Sequence, residues 1–226
     1  MPEDAGGRAF VEAAAAPVLD ELDIVYIAHA SLNRAIRLTA GVGSRYPVYP
    51  TSMGRVLLAF QPDTVIDAYF GRVVFQRFTE HTETNERALR KILSEVRSKG
   101  YAAIQDELDY GIVSVSLPIF APNGRLVAAA NCSDVTNRLD RDTMIKERLP
   151  VLRQAIRRIE GMLAQYPELT NSVTAIGSDY LRLPAVARVG QPAARAKASR
   201  KLDRQKSNKT SQVFPPARSA GQKTLL

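Results

Sequence analysis

The stretch Ile112-Val113-Ser114-Val115-Ser116-Leu117-Pro118-Ile119-Phe120-Ala121-Pro122-Asn123-Gly124-Arg125-Leu126-Val127-Ala128-Ala129-Ala130-Asn131-Cys132-Ser133 decides the fold. Two alternating segments flank Asn123-Gly124, a dipeptide suited to the positive-φ positions of a tight turn, so the stretch predicts a β-hairpin. With a two-residue turn at Asn123-Gly124, Ser116 falls opposite Asn131 and Ser114 opposite Ser133. Side chains alternate across a strand, so these four share one sheet face. The other face carries Val113, Val115, Leu117 and Ile119 against Cys132, Ala130 and Ala128, which is a core surface. The polar face has two readings. It is either simply solvated, as in many antiparallel sheets, or it is the floor of a pocket in which short hydroxyl and amide side chains orient a small polar ligand.

Working outward, Leu89, Ile92, Leu93 and Val96 recur at helical spacing, with Gly100 at the position of a C-terminal cap. A strand from Tyr101 and a charged loop at Asp106–Gly111 follow. Thr51 or Ser52 caps a helix through Val56–Ala59, and Pro62-Asp63 opens another. After the hairpin, Ile145, Leu149, Leu152, Ile156, Ile159 and Leu163 mark a last helix, with Pro150 as a bend. At the N-terminal end, Phe10, Val11, Ala14, Ala15, Val18, Leu19 and Leu22 predict an amphipathic helix kinked at Pro17. Ile24–Ala30 and Ala35–Thr39 read as strands, and Gly41–Pro50 as a loop. The order predicts an α+β domain with an antiparallel sheet flanked by helices.

The chain has 226 residues and a formal net charge of +8. Residues 167–226 hold eleven basic and three acidic side chains, so the entire excess lies there and residues 1–166 are neutral. Ala, Ser, Lys, Arg, Gln and Pro dominate beyond Pro184, which predicts a disordered basic tail. The organisation expected is an N-terminal extension over 1–8, a domain over 9–166 and the tail over 167–226. No apolar run is long enough to span a bilayer, so the sequence predicts no contact with a membrane. The acidic start Met1-Pro2-Glu3-Asp4 is not a secretory signal, and a single cysteine, Cys132, excludes an internal disulfide. Both suit a cytoplasmic protein.

Arg45 lies in a Gly-rich loop just before the Thr51/Ser52 cap. A guanidinium beside the helix-initial amides of Ser52 and Met53 suits a carboxylate, although a lone loop arginine also suits plain solvation. No metal-ligand spacing involves His29 or His81, no nucleophile elbow occurs, and Gly41-Val42-Gly43 lacks the third glycine of a dinucleotide fingerprint. Asp106, Glu107 and Asp109 read as a charged turn. The sequence therefore predicts neither an enzyme nor a bound metal or cofactor.

Gly43-Ser44-Arg45-Tyr46-Pro47-Val48-Tyr49 with Thr51-Ser52-Met53-Gly54-Arg55-Val56-Leu57-Leu58-Ala59 resembles the pocket loop and helix of the IclR family of bacterial transcriptional regulators. Gly100-Tyr101, Asp106-Glu107-Leu108, Gly111, Ser114–Ile119 and Gly124–Asn131 are similar to the next blocks of the same family. The match covers about residues 9–166 and concerns the C-terminal effector-binding domain. Its wording is closest to the branch that regulates protocatechuate, 4-hydroxybenzoate and β-ketoadipate catabolism. The resemblance implies a GAF-like (profilin-like) domain in a homodimer or homotetramer. Its partner would be a small organic acid effector, aromatic or dicarboxylic. Family ligand positions fall on Ser52, Met53, Ser114, Asn131 and Ser133, three of which the hairpin register reaches independently.

Two departures stand out. The family's helix-turn-helix has no counterpart in residues 1–22, so DNA contact is expected only indirectly or through the tail. One family strand also has no counterpart before Ile24, as though a strand and its turn were deleted. Two alternatives stay open beside effector sensing: non-specific nucleic-acid binding through the tail, which would depend steeply on salt, and a truncated inactive remnant.

Overall fold

A computed structural model describes residues 13–31 and 41–166. The Ala35–Thr39 strand, the N-terminal extension and the basic tail expected from sequence lie outside the described residues.

Six strands form one antiparallel sheet: β1 (Ala13–Asp20), β2 (Asp23–Ser31), β3 (Arg45–Pro47), β4 (Ala102–Gln105), β5 (Ile112–Phe120) and β6 (Leu126–Val135), in the order β3-β2-β1-β6-β5-β4. Helices α1 (Ser52–Ala59), α2 (Asp63–Phe70), α3 (Glu86–Lys99) and α4 (Arg141–Gln165) complete the domain. The α+β class and the antiparallel sheet read from sequence are those observed.

The alternation of β5 and β6 makes the two layers. Val113, Val115, Leu117 and Ile119 join Ala128, Ala130 and Cys132 in a core with Met144, Leu149, Leu152 and Ile156 of α4. On the opposite face, Val56, Leu57 and Leu58 of α1 pack with Leu89, Leu93 and Val96 of α3 and with Ile24, Tyr26 and Val48. Each fully buried aliphatic side chain is worth about 1.5–3 kcal/mol of burial free energy, so the two cores hold the sheet from both sides. Asn85 caps α3 by accepting from the Ala88 N–H at 3.0 Å, and Gly100 ends it with φ 74°. That left-handed value strains any residue with a Cβ.

The hairpin register is the one expected: Ser114 pairs with Ser133, Val115 with Cys132 and Ser116 with Asn131. The turn differs. The Ala121 N–H donates to the Arg125 carbonyl at 2.8 Å, so three residues, Pro122-Asn123-Gly124, make the loop, with Gly124 at φ 78°. A register shift after Ile119 leaves Val127 as the extra residue, and this bulge restores the register that a two-residue turn would have set.

The N-terminal helix is a correction. Ala13–Asp20 is strand β1, joined to β2 by a turn at Glu21-Leu22 with Glu21 at φ 55°. Alanine favours a helix by only a few tenths of a kcal/mol per residue over most residues. An interior proline costs a helix about 3 kcal/mol, and β1 pairs along all eight residues with β2 and over Ala13–Ala15 with β6. Pro17 sits at a bulge between Ala16 and Pro17 and beyond the β6 ladder, where a missing N–H is tolerated. The strand that seemed deleted before Ile24 is therefore present. The Gly41–Pro50 loop is also corrected in part: Arg45–Pro47 pairs with Asp23–Val25 as edge strand β3, and the Tyr26 N–H donates to the Ser44 carbonyl at 3.0 Å.

Candidate functional site

The polar face of β5–β6 is covered, not solvated. Helix α1 starts directly above it because Thr51 is extended and accepts from the Gly54 N–H at 3.1 Å. Gly54 permits the close approach of the preceding chain, since a Cβ there would stand 2.2 Å from the Val48 carbonyl oxygen. All eight residues of α1 are buried.

Within this seat the Ser52 hydroxyl lies 2.8 Å from the Ser114 hydroxyl and 2.7 Å from that of Ser116. Three hydroxyls bring three hydrogens, and two mutual contacts employ at most two of them. One donor is left without an acceptor among the described residues. Beside them Asn131 accepts the Ala15 N–H at 2.8 Å through Oδ1 and donates to the Ser133 hydroxyl at 2.8 Å through Nδ2. Ser52, Ser114, Ser116 and Asn131 are all buried. Strand β1, absent from the sequence reading, thus supplies a backbone donor that orients Asn131.

The structure brings together four of the six expected residues: Ser52, Ser114, Asn131 and Ser133. Met53 starts the same helix, but its side chain is buried in the apolar core with Ala15, Ile24 and Tyr26. Arg45 is not gathered. It lies on edge strand β3, three strands removed from β6, and its guanidinium closes the β1–β2 turn. There Nη1 donates to Asp20, and Nε donates to Asp23 at 3.3 Å. The expectation of a free cation at the α1 N-terminus fails because two carboxylates of that turn already hold it.

The cation that does accompany the hydroxyls is Arg55, one helical turn beyond Ser52. Its Nε donates to the Tyr49 carbonyl at 2.8 Å, and Nη1 and Nη2 donate to the two Glu107 carboxylate oxygens at 2.7 and 2.5 Å. The Arg55 side chain is 5% exposed and that of Glu107 12%. Such a fork-to-fork pair is strong and directional. The backbone around Glu107 is fixed from the Thr79–Thr82 turn: Thr82 donates to the Glu107 carbonyl at 2.7 Å and Thr79 to that of Asp106 at 2.5 Å. A sequence signal for Arg55 existed, namely one charge inside the apolar run Met53–Ala59.

Cys132 faces the α4 core, and burial pushes its thiol up to about 11. This suits packing rather than reactivity. Among the described residues no cluster of three or more His, Cys, Asp or Glu could hold a metal, and no helix is long and apolar enough to cross a membrane.

The comparisons with known proteins agree with this architecture. The family model for the C-terminal region of bacterial IclR transcriptional regulators matches residues 8–161. The chain belongs to this family. The Pca regulon regulatory protein of Pseudomonas putida is 37% identical over 147 residues, 65% of this chain and 50% of that protein. The p-hydroxybenzoate hydroxylase transcriptional activator of Acinetobacter baylyi is 28% identical over 151 residues, 65% of this chain and 56% of that protein. The chain thus spans about half the length of the curated relatives it matches. These relatives are transcriptional regulators, not enzymes.

Among solved structures, a putative transcriptional regulator from Rhodococcus superposes with TM-score 0.66 at 37% identity, covering 68% of this chain and 63% of that one. The inducer-binding domain of an Acinetobacter PobR double mutant, in complex with 3-hydroxybenzoic acid, superposes with TM-score 0.62 at 29% identity. It covers 66% of this chain and 87% of that one.

Proposed function

We propose that this domain senses a small organic acid, aromatic or dicarboxylic, and serves as the effector-binding part of an IclR-type regulator. The observation that carries the reading is the buried trio Ser52, Ser114 and Ser116, with one hydroxyl hydrogen more than its own contacts can use. A spare buried donor is costly unless an acceptor reaches it, and a carboxylate or phenolic oxygen is such an acceptor. Asn131 and Ser133 extend the polar surface along the same face, and the Ser52 and Met53 amides add the positive end of the α1 dipole. Arg55, rather than Arg45, supplies the fixed positive charge one turn away. Support also comes from the likeness to an inducer-binding domain whose bound molecule is 3-hydroxybenzoic acid.

In this proposal the acid favours one arrangement of the subunits of a homodimer or homotetramer, and that shift is the signal. DNA is reached through the regulator of which this domain is part.

The test is a thermal-shift and calorimetric screen of the full chain against 3-hydroxybenzoate, 4-hydroxybenzoate, protocatechuate and adipate. At least one acid raises the melting temperature in a saturable way. Ser114→Val, which takes away the hydroxyl that in this proposal donates to the acid, lowers that acid's affinity by about tenfold, the effect of one lost hydrogen bond to a charged group. If no acid binds at millimolar concentration, the proposal fails.

A further inference from the structure

We propose, resting on the acid-sensing reading above, that Glu107 is an internal competitor for the effector's carboxylate. On this account the acid binds by taking Glu107's place on Arg55. Arg55 is buried, and a buried guanidinium cannot be left without an acceptor at tolerable cost. Its partner can therefore leave only in exchange for another carboxylate, which makes the site selective for acids.

The geometry separates the fixed half of the pair from the movable half. Arg55 is held by α1 and by the Tyr49 carbonyl at 2.8 Å. The Glu107 side chain is anchored by the guanidinium and by a long contact from the Glu83 N–H at 3.4 Å. Its backbone is independently fixed by Thr79 and Thr82, so the carboxylate swings by side-chain rotation without unfolding the turn.

There is room for that swing. Glu107 lines two adjoining clefts outside β4, of about 310 and 480 Å³. His81 and Arg141 line both of them as well, and Arg141 has Asp142 as its carboxylate neighbour among the described residues, at 4.0 Å. A displaced Glu107 meets Arg141 and His81 there, beside the carboxylates Glu83 and Glu95 of the first cleft and Asp106, Asp140 and Asp142 of the second. The exchange carries one negative charge from beneath α1 to the outer edge of β4, an edge strand among the described residues. Effector binding is read there as a change of surface charge.

The experiment compares the full chain with Glu107→Gln by calorimetry, using the four acids above and the neutral isostere 3-hydroxybenzamide as probes. Without a competing charge, Glu107→Gln binds the acids about tenfold tighter, while its affinity for the benzamide stays as in the parent. Equal or weaker acid binding by Glu107→Gln, with binding intact in the parent, overturns the exchange and leaves the acid-sensing reading standing. Tightening of acid and benzamide alike also overturns it, because general loosening of the site acts on both. Absence of acid binding in both proteins overturns the reading itself, and the exchange with it. Should Glu107→Gln lack a cooperative melt, Glu107→Asp replaces it. The shorter side chain keeps the charge but loses one arm of the fork, and about threefold tighter acid binding is the expected result. No gain there overturns the exchange.

Discussion

Arg45 and Arg55 lie ten residues apart in one family-like segment, and the fold gives them opposite fates. Arg45 stands on an edge strand with its side chain 46% exposed, closing a turn between Asp20 and Asp23. Arg55 is 5% exposed, held on all three sides, and lies one helical turn from the hydroxyl trio. In water-rich surroundings a charge pair gains little, because solvent screens it and the side chains lose freedom. Under α1 the same chemistry becomes a structural requirement, because a lone buried charge costs several kcal/mol. Exposure, not residue type, separates the tether of a turn from the candidate anchor of a ligand.

The largest effect that sharpens this contrast is Arg55→Met. It strands Glu107 and the Tyr49 carbonyl, and denaturant unfolding should show a loss of about 3–5 kcal/mol. Next comes Gly54→Ala, which leaves the charge untouched but drives a Cβ to 2.2 Å from the Val48 oxygen. It should cost about 3 kcal/mol by forcing α1 off its seat, and a loss below about 1 kcal/mol would mean that the seat is soft.

On the α4 side, the Cys132 thiol is raised by burial to about 11. A raised thiol pKa favours the neutral form in the native state. Its contribution is therefore complete below the unfolded value near 9 and is lost as pH rises towards 11. By linkage, Cys132→Ala should flatten the alkaline loss of stability by about 2–3 kcal/mol between those limits. Difference melts of the two proteins check this, since they cancel the titration of the buried tyrosines. The smallest effect is Arg45→Met, which should cost less than about 1 kcal/mol and become undetectable in 1 M salt. A large, salt-insensitive loss at Arg45 would break the comparison.

Several of these features are legible in the chain itself. Alternation around Asn123-Gly124 yields the register that pairs Ser114 with Ser133 and Ser116 with Asn131, because a hairpin with one apolar and one polar face tolerates no one-residue slip. The actual loop is a residue longer, and the bulge at Val127 hides that from any count based on the turn alone. Strand β1 is illegible for a physical reason. Ala13–Ala16 carries a local preference for helix, and what overrides it is pairing with Ala28–Ser31 and Asn131–Ser133, contacts far apart in sequence. Pro17 was the available warning.

The site follows the same division. Serines on one strand face can be placed from register, whereas the choice between Arg45 and Arg55 depends on which carboxylates the fold brings to each. Asp20 reaches Arg45 only through the misread strand, and Glu107 reaches Arg55 only through the β4–β5 turn.

The central claim is that the acid is read beneath α1 and not at the β3 edge. Calorimetric titration of the acid found in the screen into the full chain, Arg45→Met and Ser114→Val tests it most directly. The account predicts unchanged affinity for Arg45→Met and about a tenfold loss for Ser114→Val. The reverse pattern, with binding abolished at Arg45 and untouched at Ser114, would contradict it.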